Sequence, residues 1–118
     1  MADDMRVTPR TMPNKTLLAL GICAKAGKLV CGTPMICEAL KGRHKPLLVL
    51  SASDSSGNTS KRLRDRCAFY GVELAELTAT GDELAEAVGK SGKVTAVAVT
   101  DGQLCRLVRG TLEQDHNL

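Results

Sequence analysis

The chain has no tryptophan, one tyrosine (Tyr70) and one phenylalanine (Phe69). Proteins that read single strands stack bases on aromatic platforms. Two adjacent rings, with Tyr70 expected in the core, do not provide one. Long hydrophobic runs are missing as well, and nothing approaches the roughly 20 apolar residues that span a bilayer. The opening MADDMRVTPRTMPNK carries Asp3 and Asp4 and has no signal-peptide apolar region, so a cytoplasmic location is expected. Histidine is limited to His44 and His116, and no C-x-x-C pair occurs among Cys23, Cys31, Cys37, Cys67 and Cys105. Tetrahedral metal sites favour closely paired ligands. No metal or other cofactor is therefore expected, and the thiols read as reduced side chains on apolar faces. Nucleophilic catalysis needs a base within hydrogen-bond reach of the nucleophile. His44 sits in the basic run KGRHK, His116 in a polar tail, and the carboxylates of residues 73–86 have no neighbouring base. No enzymatic activity is expected.

What is present fits one ordinary domain. The 118 residues are 43% hydrophobic and 25% charged, enough for a real core and too apolar for disorder. A monomer is expected. Net charge is only +3, but residues 15–66 hold ten Lys/Arg against three acids, and residues 67–118 hold four against eight. The basic first half is a candidate surface for a polyanion.

Residues 1–13 contain Pro9 and Pro13 without periodicity and read as a flexible arm. From an Asn14 cap, Leu17, Leu20 or Gly21, and Ala24 recur at helical spacing, with Gly27 as the stop. Gly21 inside that helix costs about 1 kcal/mol against Ala, which implies close packing on a neighbour. The stretch LVCGTPMICEALK, residues 29–41, reads as a short strand, a glycine turn and a helix. Thr33 is the expected cap, Pro34 the first helical residue, Ile36 and Leu40 the buried face. PLLVLSA, residues 46–52, is a central strand. SDSSGNTSKRLRDRCAFYG, residues 53–71, is a polar loop and a helix capped by Asn58 or Thr59. Its buried stripe is Leu63, Cys67 and Tyr70, and Gly71 ends it. A strand at Val72–Leu77, a helix at 80–89, a strand at Val94–Thr100 and a helix at Gln103–Leu112 follow, then a flexible tail at 113–118. This alternation places one sheet between helices.

Three stretches are candidate sites. GKS at 89–91 is not the end of a phosphate-binding P-loop, because position 84 is Leu and the order of elements is wrong. The loop 53–61 leads from a strand to a helix start, a place where phosphates bind. Local satisfaction of amides by Asp54, Ser55, Ser56 and Asn58 explains it more simply. The strand–Gly–helix junction at 29–38 is the third, since helix-start amides attract anions.

LGICAKAGKLVCG, LLVLSASDSSGNTSKRLRDRC, GDELAEAVGK and VAVTDG occur in this order with short connections. As an ordered set, from about Asn14 to Leu112, they resemble the ribosomal protein L7Ae/L30e superfamily, particularly its short bacterial ribosome-associated branch. The resemblance implies a single-domain three-layer α/β/α sandwich with a four-stranded mixed sheet. It implies structured RNA as partner, kink-turn-like or ribosomal, and hence a place in translation. The RNA-binding positions it implies are Gly32, Thr33, Pro34, Met35 and Glu38 at the junction and Gly89, Lys90, Ser91 and Lys93 in the loop before the last strand. Lys28, Lys41, Arg43 and Lys45 would extend a basic rim.

Three of these positions depart from the family's pattern. Pro34 offers no side-chain donor, Met35 can pack but not pair, and Glu38 repels phosphate. Each lost polar pairing costs roughly 1–3 kcal/mol. Two alternatives therefore stand beside RNA binding: a protein–protein adaptor that kept the fold, and a weak small-anion binder at the Ser55–Ser60 helix start.

Overall fold

A computed structural model describes residues 15–116, with side chains through Leu112. The arm expected at 1–13, the Asn14 cap and residues 117–118 lie outside it. Among the described residues five helices and four strands alternate: α1 (Lys15–Lys25), β1 (Leu29–Cys31), α2 (Thr33–Lys41), β2 (Leu48–Ser51), α3 (Gly57–Tyr70), β3 (Glu73–Glu76), α4 (Gly81–Val88), β4 (Ala96–Val99) and α5 (Gly102–His116). The sheet order is β1-β4-β2-β3. β4 runs antiparallel to both β1 and β2, while β2 and β3 are parallel. This is the mixed four-stranded sandwich expected above.

Alternation along the strands builds the two cores. Leu48 and Leu50 of β2 and Val97 and Val99 of β4 face the layer made by Ala19, Leu20, Cys23, Leu84, Ala85, Val88, Cys105 and Val108 of α1, α4 and α5. Val49, Ala96 and Ala98 face Ile36, Leu40, Leu63 and Cys67 of α2 and α3. The two alanines of β4 let that second layer sit close to the sheet. Both central strands are fully buried. β3 is an edge strand whose ends expose Glu73 and Glu76, charges that discourage further strand pairing.

Several boundaries follow local chemistry. Gly71 (φ 71°) and Gly89 (φ 78°) end α3 and α4 in the left-handed region. Thr80 and Glu83 close a capping box at the start of α4. Other expectations need correction. α3 is capped by Ser56, whose hydroxyl accepts the Thr59 N–H at 3.2 Å, and not by Asn58 or Thr59. Gly32, not Thr33, stands at the cap of α2. The Thr33 hydroxyl is instead hydrogen-bonded to the Thr95 hydroxyl at 2.9 Å. Tyr70 is half-buried and not fully in the core. α5 continues past Leu112, so residues 113–116 are helical instead of belonging to a tail.

α1 buries Thr16, Ala19, Leu20 and Cys23, with Leu17 and Ala24 only partly covered. Its face is rotated from the expected stripe because it packs on both α4 and α5. Thr16 and Thr111 meet there at 2.8 Å, and Thr111 donates to the Val108 carbonyl at 2.6 Å. A hydroxyl has one proton, so Thr16 is the donor in the pair. The close packing expected at Gly21 is present: an added Cβ would lie 2.9 Å from the Ala87 carbonyl oxygen. Cys23, Cys37, Cys67 and Cys105 are buried free thiols, and Cys31 is partly exposed. Burial, with Cys37 nearby, pushes the Cys67 thiol up to about 11.

Candidate functional site

β1, β2 and β3 point the same way, so their C-terminal ends reach one edge of the sheet, where β4 begins. The starts of α2, α3 and α4 lie at that edge, each presenting amides with partial positive charge. Gly32 makes the first turn. Its φ of 95° favours glycine, its N–H donates to the Ala96 carbonyl at 2.8 Å, and its carbonyl accepts the Ile36 N–H at 3.0 Å. A hypothetical Cβ there meets nothing within 4 Å, so the constraint is conformational and the approach from outside is open.

Thr95 locks the neighbouring segments together. Besides the Thr33 bond, its carbonyl accepts the Ala52 N–H at 2.8 Å and the Ser55 hydroxyl at 3.0 Å. Asp54 makes the next tie, accepting the Gly81 N–H at 2.9 Å while its second oxygen faces Lys93 Nζ at 3.3 Å. The Lys93 stem lies over Gly81, where any Cβ would collide with its Cγ. The Gly81 N–H and then Lys93 hold the Asp54 carboxyl below the usual range. These contacts correct the local reading of the 53–61 loop. Ser56 does satisfy a nearby amide, but Asp54 and Ser55 act across the fold.

Residues 89–93 form the remaining wall. Gly89 and Gly92 (φ 81°) turn the backbone, and Lys90 and Ser91 are exposed. A cleft of about 410 Å³ runs between this wall and the junction, lined by Cys31, Met35, Gly89 and Lys90 together with Ala24 and Val88. Burial raises the Cys31 pKa, and the positive charge of Lys90 partly opposes that rise. Among the described residues no three His, Cys, Asp or Glu side chains converge as metal ligands, and no helix is long and apolar enough to cross a membrane.

The expected positions therefore separate into groups. Met35, Gly89 and Lys90 border one space, and Gly32 stands between Cys31 of that lining and α2. Thr33 is buried beside them, Ser91 is exposed in the same loop, and Lys93 is held against Asp54. Pro34, Met35 and Glu38 are exposed on α2, with Glu38 paired to Lys41 at 3.5 Å. Lys28 precedes β1, and its carbonyl accepts the Thr100 N–H, which places it at the opposite edge of the sheet. Lys41 ends α2, Arg43 and Lys45 follow it, and all three lie away from the junction. The basic rim is thus not continuous with the cleft. Thr95, Asp54, Ser55 and Gly81 are the supporting residues that the sequence reading did not connect.

The sequence profile of the ribosomal protein L7Ae/L30e/S12e/Gadd45 family matches residues 14–108. The chain belongs to this family. RNA-binding protein YlxQ of Enterococcus faecium is 30% identical over 83 residues, covering 70% of this chain and 79% of that protein. RNA-binding protein YlxQ of Bacillus subtilis strain 168 is 32% identical over 82 residues, with the same shares. A Bacillus halodurans protein of unknown function superposes with a TM-score of 0.76 at 26% identity, covering 85% of this chain and 98% of that one. The Giardia lamblia 15.5kD RNA binding protein shares the fold, with a TM-score of 0.72 at 18% identity over 91% of this chain and 95% of its own.

Proposed function

We propose that the protein binds structured RNA, without catalysis, at the sheet edge formed by the Gly32 junction and the 89–93 loop. The observation that carries this reading is the cleft joining Cys31 and Met35 to Gly89 and Lys90, at the start of α2. Family membership and the YlxQ relatives support an RNA partner. Gly32 leaves room for a ribose-phosphate backbone, amides and Lys90 meet phosphate, and Met35 packs against sugar or base edges. Such contacts position RNA but carry little sequence choice. A kink-turn-like or ribosomal RNA suits a rigid edge that reads shape. Cytoplasmic monomers working beside the ribosome complete the proposal.

Exposed Pro34 and Met35, the latter 60% accessible, favour a second reading as a protein adaptor. Gel shifts of a kink-turn RNA and a straight duplex of equal length, over a salt series, separate the two. Micromolar or tighter binding that weakens steeply with salt is expected, with the kink-turn preferred, and Glu38→Lys should tighten it. Folded protein that shifts neither RNA at low salt refutes the RNA reading.

A further inference from the structure

Against the expectation that the chain offers no ring to a base, Phe69 is 78% exposed and its ring is open to stacking. It stands near the end of α3, edge to face with Tyr70, ring centroids 4.9 Å apart at 88°. Lys45 Nζ lies 5.4 Å from the centre of the Tyr70 ring and also donates to the Gly42 carbonyl at 3.0 Å. The 41–45 connection and the end of α3 thus form one surface. Arg62, Arg66 and Phe69 are spaced four and three residues apart, so they share a helical face, and all three are exposed. Among the described residues, Arg43, Lys45, Arg62 and Arg66 have no carboxylate partner, whereas Lys41 and Lys61 are paired with Glu38 and Asp65. α3 is 14 residues long, which puts this surface about 20 Å from the helix starts at the Gly32 edge.

We propose that this surface is a second RNA site, one that takes an unpaired nucleotide. The base stacks on Phe69, and the flanking phosphates lie on Arg62 and Arg66 to one side and Arg43 and Lys45 to the other. A ring that Tyr70 holds in place, surrounded by unpaired cations, matches the alternation of aromatic base and anionic phosphate along a single strand. Duplex RNA hides its base faces and fits less well. The site does not depend on the reading of the Gly32 edge. If both operate, the protein grips a structured element at one edge of its sheet and an adjoining single strand at the other.

Fluorescence polarisation of the full chain with labelled octaadenylate at low salt tests this, with each variant's fold checked by circular dichroism. Phe69→Ala should weaken binding about tenfold or more, the usual effect of losing one stacked base. Phe69→Tyr should bind like the parent protein, Arg66→Glu should bind severalfold more weakly, and Arg106→Glu, exposed on α5 in the layer across the sheet, should change little. The proposal is overturned if Phe69→Ala binds like the parent even where Arg66→Glu is impaired, which would leave only a charged patch. It is also overturned if Lys90→Glu abolishes binding while Phe69→Ala does not, or if the oligonucleotide does not bind. Self-association that Phe69→Ala removes, without oligonucleotide binding, would assign the surface to a protein contact and refute it as well.

Discussion

Asp54 accepts the Gly81 N–H with one oxygen and faces Lys93 with the other. Both contacts favour the ionised form, so its pKa in the folded chain is lowered. A carboxyl with a depressed folded pKa contributes stability that is complete above its unfolded pKa, about 3.9. That contribution is lost as the pH falls through the folded value. Asp54→Asn keeps an acceptor for Gly81 but loses the attraction to Lys93. Thermal melts should therefore show the variant less stable at neutral pH, with the gap to the parent closing below about pH 4. A gap that does not change with pH would mean that only the neutral contact matters.

Two glycines inside helices separate propensity from packing. Gly21 of α1 faces α4, where a Cβ would meet the Ala87 carbonyl oxygen at 2.9 Å, while Gly110 of α5 has nothing within 4 Å. Alanine gains about 1 kcal/mol of helix propensity at either position. At Gly110 that gain stands alone, so Gly110→Ala should raise the melting temperature by several degrees. At Gly21 the helices must separate, at a cost of about 1–3 kcal/mol, so Gly21→Ala should lower it. A rise in both would mean that α1 and α4 part easily. The tight approach at Gly21 was legible because a glycine is costly in a helix. The left-handed stops at Gly71 and Gly89 and the alternating faces of β2 and β4 are also local properties, readable from neighbours in the chain. The caps of α2 and α3 were less legible, for different reasons. Thr33 has the right chemistry for a cap, but its hydroxyl is drawn to Thr95, 62 residues away. Around Ser56, several adjacent side chains could cap α3, and only the loop's path selects one.

The lysines expected to share one site lie at two edges of the sheet, Lys90 beside the junction and Lys28 and Lys41 at the other end. In the sequence Lys28 is a near neighbour of Gly32, yet strand β1 lies between them at ~3.3 Å per residue and sends them to opposite ends of the sheet. Lys41 is separated from the junction in the same way by the length of α2. The junction and the 89–93 loop could be placed together only through the family resemblance, because antiparallel pairing of β1 with β4 is a long-range choice. The continuous basic rim failed for that reason: charge was counted along the chain and not across the fold. The distinction is measurable. With a kink-turn RNA, Lys90→Gln should weaken binding and make the slope of log affinity against log salt shallower by about one, the signature of one lost phosphate contact. Lys28→Gln and Lys41→Gln should leave the slope unchanged, although each removes the same formal charge. If all three variants lose slope equally, a diffuse positive field holds the RNA and the cleft has no special part. If only Lys90→Gln does, the contact is local, and the Gly32 edge is where the RNA sits.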